Sequence, residues 1–185
     1  VTSKGFASTG LAVYGLPEQH RAELLALQGA DVAVVGAPGC YPTTSLLGLY
    51  PLARAGLIAD LVVDAKSGTS GAGRAAKADL VFSEVNESVK AYGISGHRHI
   101  SELEQELQAA GPAPGANPGV QNVDFVPHLI PMQRGILAAC HVRPTRPVSA
   151  AELRDLYDEA YADEPFVRVV DQPPATGHVR GSNFA

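Results

Sequence analysis

Hydrophobic and polar residues follow two spacings along the chain, one typical of helices and the other of strands. Apolar positions at helical spacing, bounded by residues that begin or end helices, predict helices over residues 17–28, about 42–55, 101–110 and 149–161. Alternating or β-branched apolar runs predict strands over residues 30–37, 61–65, 123–130, 135–143 and 166–170. Residues 79–92 fit either a short helix or extended chain.

The order of these elements predicts the fold class. An early strand–helix–strand segment is followed by paired strands with flanking helices, which favours an α+β fold. We expect a mixed, mostly antiparallel sheet with helices packed on one face. Strands 123–130 and 135–143 are expected to be antiparallel neighbours, because only a short connection separates them. No repeat or long linker divides the chain, so residues 1–185 are expected to form one domain.

Short capping signals predict three of the helix ends. Ser101 with Glu104 fits a capping box, as does Ser149 with Glu152. Gly56 stands where a glycine commonly ends a helix.

Composition and charge narrow the class of protein. Of the 185 residues, 45% are hydrophobic and 18% charged, which is typical of a globular domain, and the net charge is −5. Lysine and arginine are scattered, so nucleic acid is not an expected partner. No apolar run is long enough to span a membrane, and the first residues lead into no signal stretch. We therefore expect a cytoplasmic protein.

Two cysteines in a chain of this length make no disulfide framework, and no zinc-type spacing accompanies them. Cys140 shares a strand face with Ile136, Ala138 and Val142, so it is expected to be an inert part of the core. Cys40 differs, because it follows a strand and a Pro-Gly pair and comes just before a helix. Helix N-termini lower the pKa of a thiol and favour the nucleophilic thiolate. Cys40 is therefore a candidate nucleophile, the alternative being a small buried residue.

Two histidines follow a glycine-containing turn. If residues 97–99 are extended, His97 and His99 point to one side and Arg98 to the other. Two imidazoles on one side offer a general acid or base and a substrate hydrogen bond. The alternative is a solvated loop that leads into the helix from residue 101.

A glycine-rich turn over residues 67–74 (SGTSGAGR) offers backbone N–H groups to an anion or polar ligand. It lacks the Gly-Lys-Ser/Thr ending of a Walker loop, and the chain has no Gly-x-Gly-x-x-Gly dinucleotide turn near its start. Arg74 and Arg134 are candidates for binding an anion. An ordinary surface turn is the alternative for both segments.

Several segments together resemble the N-acetyl-gamma-glutamyl-phosphate reductases. The matching motifs occur in the same order along the chain: YGLPE at 14–18, GCYPT at 39–43, SGTSGAGR at 67–74, Tyr92, HRH at 97–99, RGIL at 134–137 and GSN at 181–183. The likeness covers nearly the whole chain.

The resemblance implies the second, catalytic and dimerisation domain of a two-domain reductase related to aspartate-semialdehyde dehydrogenase. Its NADP(H)-binding Rossmann domain is expected to lie outside this chain, which alone is then inactive. The implied reaction reduces N-acetyl-glutamyl 5-phosphate, an acyl phosphate, to N-acetyl-glutamate 5-semialdehyde through a cysteine thioester in arginine biosynthesis. A homodimer or homotetramer is implied as well.

The resemblance also implies roles for individual residues. Cys40 carries the acyl group, and His97 is its acid/base partner. Substrate contacts are implied for the group His99, Arg98, Arg74, Tyr92 and Arg134, without deciding which arginine meets phosphate. Ser67, Gly68 and Pro42 are implied to lie beside the cofactor.

Three other interpretations stay open. The carrier-linked aminoadipyl-phosphate reductases of lysine biosynthesis share this architecture, but have Asn-Ala where Tyr41 and Pro42 follow the cysteine here. A Cys-His hydrolase also combines a thiolate with an imidazole. The third interpretation is not enzymatic: the chain by itself acts only as an assembly module that pairs with other copies.

Overall fold

The computed structural model describes residues 12–113 and 115–185, so the first residues, where no signal stretch is expected, lie outside it. The helices are α1 (Pro17–Ala26), α2 (Cys40–Arg54), α3 (Phe82–Val85), α4 (His99–Ala110) and α5 (Ala150–Tyr161). The strands are β1 (Ala12–Tyr14), β2 (Val34–Gly36), β3 (Ile58–Ser67), β4 (Lys90–Ala91), β5 (Asp124–Leu129) and β6 (Ile136–Pro144). No helix within the described ranges is long and apolar enough to cross a membrane.

A four-stranded mixed sheet in the order β4-β5-β3-β6 organises the fold. β3 runs parallel to β5 and antiparallel to β6, and β4 is antiparallel to β5. The expected α+β class with a mixed, mostly antiparallel sheet is thus confirmed. Residues 79–92, left open between helix and strand, contain both, as α3 and β4.

Strands β5 and β6 are not neighbours, so the predicted pairing of 123–130 with 135–143 is wrong. The residues between them cross the end of β3 instead of forming a hairpin. The Ile130 N–H donates to the Ser67 carbonyl, and the Gly68 N–H donates to the Gly135 carbonyl, both at 3.0 Å. β3 therefore lies between the two strands, where both of its edges find backbone partners.

Helices α2 and α4 pack on each other and cover one face of the sheet, and α5 packs against α2. The core lies between this helical layer and the central strand. Burying each large apolar side chain there contributes roughly 1.5–3 kcal/mol. The fully buried side chains include Leu46, Leu49, Leu61, Val63, Leu103 and Leu107.

Helix α2 begins at Cys40 itself, two residues before the predicted start at Pro42. The carbonyl of Gly39 accepts the N–H of Thr43 at 2.9 Å and the Thr43 hydroxyl at 3.0 Å. Proline is tolerated in a first turn because its missing N–H has no helical partner there. The predicted C-terminal glycine is confirmed: Gly56 follows the helix with φ +67°.

Helix α4 begins at His99, and the capping box predicted from Ser101 and Glu104 does not form. The Ser101 hydroxyl donates back to the Arg98 carbonyl at 3.3 Å, and Glu104 accepts a backbone N–H outside the helix. The His97 Nδ1 atom instead accepts the His99 N–H at 3.2 Å. An imidazole two residues upstream therefore satisfies one of the free N–H groups of the first turn.

The remaining predictions hold in part. Ser149 caps α5 by accepting the Glu152 N–H at 3.1 Å, but the Glu152 carboxylate pairs with Arg146, so only half of the box forms. The strand predicted over 30–37 shrinks to β2, whose Val35 is half-exposed rather than buried. The strand predicted over 166–170 is wrong, because that segment makes only two backbone hydrogen bonds to Ala185.

Candidate active site

A cleft of about 370 Å³ lies where the end of β3 meets the N-terminus of α2. Seven of the ten residues singled out from the sequence line it: Cys40, Ser67, Gly68, Tyr92, His97, Arg98 and His99. The other three do not. Arg74 and Arg134 are exposed and do not line the cleft, and Pro42 is buried in the first turn of α2.

Cys40 is the first residue of α2, and its side chain is exposed to the cleft. The first N–H groups of a helix have no internal partner, and together with the helix dipole they favour a negative charge at this end.

Cys140, the second cysteine, lies in a different environment. It packs against the core from β6, where burial raises the pKa of its thiol to about 11. The expected position of Cys140 in the core is confirmed, and its inertness stays a prediction.

Glu102 on α4 holds the residue before the cysteine. Its Oε1 atom accepts the Gly39 N–H at 2.8 Å and the Tyr14 hydroxyl at 2.6 Å. Burial, reinforced by this carboxylate, raises the pKa of Tyr14, which therefore stays protonated. Sequence analysis missed Glu102; its only signal is the three-residue spacing from His99, which places both on one side of a helix.

His99 is buried between the start of α2 and the start of α4, with 4% of its surface exposed. Burial, followed by the nearby His97, lowers the pKa of His99 to about 4. The ring is therefore neutral at pH 7. Its Nδ1 atom is buried without a hydrogen-bond partner among the residues that the structure describes.

His97 lies 4.7 Å from His99, measured between ring centroids. Burial, and then the charge of Arg98, lower the pKa of His97, so this ring is also neutral at pH 7. Because its Nδ1 atom accepts the His99 N–H, the ring proton lies on Nε2. In this tautomer His97 is a hydrogen-bond donor, for example to a carbonyl oxygen.

Two tyrosines join the wall that carries Cys40 to the edge of the sheet. The hydroxyls of Tyr41 and Tyr92 lie 2.9 Å apart, and the Tyr41 hydroxyl also reaches the His128 carbonyl at 3.3 Å. Burial, and then the Tyr92 hydroxyl, raise the pKa of Tyr41, so it acts as a neutral hydrogen-bonding group. Tyr41 was given little weight from sequence, yet its ring contacts both histidines.

The end of β3 forms the floor of the cleft. The Ser67 hydroxyl is buried and donates to the Gly68 carbonyl at 3.0 Å. A Cβ atom at Gly68 would lie 2.8 Å from the backbone of Arg134, so only glycine fits this crossing. Gly71 and Ala72, which have minimal side chains, also line the cleft.

The charge of the cleft is mostly positive. Lys77, Lys90 and Arg98 line it, against one acidic side chain, Asp79. Such a lining favours an anionic ligand. No local sequence signal singles out either lysine, because their approach to the cysteine depends on how the chain folds between the end of β3 and β4.

The chain is similar to known proteins over most of its length. Residues 40–185 match the family model described as semialdehyde dehydrogenase, dimerisation domain. The N-acetyl-gamma-glutamyl-phosphate reductase of Citrifermentans bemidjiense is 51% identical over 94% of this chain and 48% of its own length. The enzyme of the same name from Halorhodospira halophila is 53% identical over 93% of the chain and 47% of its own length. The chain thus spans about half the length of these relatives.

A solved structure has the same fold. Aspartate semialdehyde dehydrogenase II from Vibrio cholerae superimposes with a TM-score of 0.65, at 15% identity, over 96% of this chain and 57% of that one. The resemblance to N-acetyl-gamma-glutamyl-phosphate reductases that the motifs indicate is confirmed by the two relatives. The chain belongs to the semialdehyde dehydrogenase dimerisation-domain family.

Proposed function

We propose that this chain is the catalytic and dimerisation domain of an NADPH-dependent reductase of arginine biosynthesis. The substrate is N-acetyl-glutamyl 5-phosphate and the product N-acetyl-glutamate 5-semialdehyde. One observation carries the proposal: an exposed thiol at the start of α2 shares a cleft with two neutral imidazoles. The two relatives, about half identical to the chain, support the choice of substrate.

The parent reductase is the proposed full protein, in which a nucleotide-binding domain outside this chain completes the site. The comparison supports this, since the relatives are about twice as long as the chain. The family description, a dimerisation domain, supports self-association, and we propose a homodimer or homotetramer. Cytoplasmic location is part of the same proposal.

Acylation is the first proposed step. The Cys40 thiolate attacks the C5 carbonyl carbon, a C–S bond forms, and the C–O bond to phosphate breaks. Phosphate departs with the electron pair of that bond, leaving a thioester. The positive end of α2 favours both the thiolate and the negative charge that develops on the carbonyl oxygen.

Reduction of the thioester follows. NADPH, when bound, supplies the hydride that the carbonyl carbon receives. Ser67 and Gly68 are proposed to lie beside the nicotinamide, and both line the cleft. Pro42 does not line the cleft, so its proposed part is limited to shaping the helix start.

His97 is the proposed acid/base partner of Cys40. It can take the thiol proton at Nε2 only in the tautomer whose own proton lies on Nδ1; in the tautomer of this structure its Nε2–H donates to the hemiacetal oxygen. Collapse of the thiohemiacetal breaks the C–S bond, releases the aldehyde and returns the thiolate. His99 and Tyr92 position the substrate, and Arg98 meets one of its anionic groups. Arg74 and Arg134 could do so only if the surrounding loops move, because neither lines the cleft.

The test is a Cys40→Ser variant of the parent reductase, with Cys140→Ser as the matched control. We expect Cys40→Ser to abolish reduction of the acyl phosphate, while Cys140→Ser retains most of it. Near-normal reduction by Cys40→Ser would contradict the proposal. Comparing the rate of iodoacetamide modification against pH for wild type and His97→Asn then tests His97. Identical profiles would exclude it from activating the thiol.

A further inference from the structure

The two lysines that line the cleft have no role in the mechanism above. Lys77 and Lys90 both extend to the cavity that contains Cys40. Neither forms an ion pair with a carboxylate in the ranges that the structure describes, whereas Lys66 and Arg154 do. A lysine without a partner in a site with few acids is suited to bind an anionic ligand.

Lys90 is fixed on the wall of the cleft by the sheet. It pairs with Leu129 across β4 and β5, and the Tyr92 N–H extends this pairing to the Pro127 carbonyl at 3.0 Å. Residues two apart in extended chain point to the same side, so the Lys90 and Tyr92 side chains project together. Both line the cleft. The hydrogen bond between the Tyr92 and Tyr41 hydroxyls joins this wall to α2, because Tyr41 directly follows Cys40.

Lys77 stands in a different setting. It precedes a short 3₁₀ turn (Ala78–Leu80), and Asp79 within that turn also lines the cleft. Asp79 stands two residues after Lys77 in the sequence and is an acidic side chain on the same stretch of the cleft lining. Lys90 has no acidic neighbour of this kind among the lining residues, so it is the better placed of the two to bind an anion.

The substrate of the proposed function has two anionic groups, and they differ in how long they stay. The phosphoryl group is attached to the reacting carbonyl and departs when the thioester forms. The free carboxylate lies four bonds away, about 5 Å in an extended chain. It stays through acylation, reduction and release. A cation on the β4 wall, which is a different element from the helix start that serves the reacting carbonyl, suits this second group.

We propose that Lys90 binds the unreacting carboxylate of the substrate and so selects acyl phosphates that carry a second, free carboxylate. The inference rests on the proposed function and adds a specificity-determining residue to it. Holding the far end of the acyl chain also limits where the carbonyl lies against Cys40.

The experiment compares two substrates in the parent reductase. One is N-acetyl-glutamyl 5-phosphate and the other is 4-acetamidobutyryl phosphate, which lacks only the free carboxylate. Lys90→Met removes the charge and keeps a long apolar side chain. We expect it to lower kcat/KM on the first substrate roughly 10- to 100-fold, mainly through KM. On the second substrate kcat/KM is expected to stay within about twofold of wild type.

Two further variants sharpen the comparison. Lys77→Met is the matched control, and we expect it to change kcat/KM less than about fivefold on either substrate. Lys90→Arg keeps the charge, so it is expected to restore most of the preference for the carboxylate substrate.

The possible results distinguish a failure of the role of Lys90 from a failure of the proposed function. Equal losses on both substrates would assign Lys90 a structural role, and no loss on either would leave it no role in binding. Either result overturns the inference while wild type remains an active reductase. A wild-type protein that reduces neither acyl phosphate would overturn the proposed function, and the role of Lys90 with it.

Discussion

Replacing Gly39 with alanine would place a methyl group between the start of α2 and the ring of His99. The new Cβ atom would lie 2.4 Å from the Nε2 atom of His99, whereas ordinary contact begins at 3.4 Å. The ring must therefore retreat by the difference, about 1 Å. The backbone of Gly39, with φ −66° and ψ 154°, is one that alanine adopts freely. Any effect then comes from the contact with His99 and not from backbone strain.

The magnitude follows from how tightly this ring is held. His99 is 4% exposed and packs against the rings of Tyr41 and His97, so it has little room to retreat. Overpacking of this kind costs roughly 1–3 kcal/mol of stability. Displacing a positioning group by about 1 Å is expected to reduce activity roughly 100-fold.

The assay measures both quantities on matched variants of the parent reductase. Urea unfolding gives the free energy of unfolding, and steady-state kinetics give reduction of the acyl phosphate. Gly48→Ala is the control, because a Cβ atom there meets nothing within 4 Å; it is expected to stabilise α2 by about 0.5–1 kcal/mol at unchanged activity. If Gly39→Ala matches wild type in both stability and activity, the proposed packing of His99 against the start of α2 is wrong.

Three more outcomes test the geometry. Because the pKa of folded His99 is about 4, below the ordinary 6.5, unfolded chains bind its proton first as pH falls. Stability should therefore drop by about 2–3 kcal/mol between pH 6.5 and 4, and His99→Asn should flatten this part of the urea-unfolding profile. Glu102→Ala leaves the Gly39 N–H and Tyr14 hydroxyl without their acceptor, and should cost about 2–4 kcal/mol in urea; a smaller loss than in Glu102→Gln would contradict the shared carboxylate. Iodoacetamide at pH 8 should label Cys40 and spare Cys140, as read by peptide mass spectrometry; faster labelling of Cys140 would contradict its burial.

Much of the site could be predicted because its residues are close to local signals. The Pro-Gly pair before Cys40 ends one element and allows the next to begin, so the cysteine had to be near a helix start. His97 and His99 were expected on one side of an extended segment with Arg98 on the other; that premise is wrong, because Arg98 has helical φ −55° and ψ −24° and lines the cleft with both histidines. The glycine turn after Ser67 was expected to offer backbone N–H groups to a ligand, but those of Gly68, Thr69 and Ser70 donate to carbonyls of residues 132–135, and the glycine at 68 is needed for the close crossing there.

The remaining features depend on contacts between distant parts of the chain. Glu102 reaches Gly39 across 63 positions, and no local pattern encodes that distance. The prediction that β5 and β6 are neighbours was wrong for the same reason. A short connection between two strands predicts a hairpin, and nothing local in the sequence shows that β3 lies between them. The predicted cap at Ser101 does not form because the helix begins two residues earlier, at His99, whose N–H donates to the His97 side chain.

The most direct test of the central claim is to mix the parent reductase with N-acetyl-glutamyl 5-phosphate in the absence of NADPH and quench the reaction. We predict release of one phosphate per site and an N-acetyl-glutamyl adduct on the peptide that contains Cys40, detected by mass spectrometry. The adduct should disappear when NADPH is added. Turnover without any adduct on Cys40, or an adduct on Cys140 instead, would contradict the account.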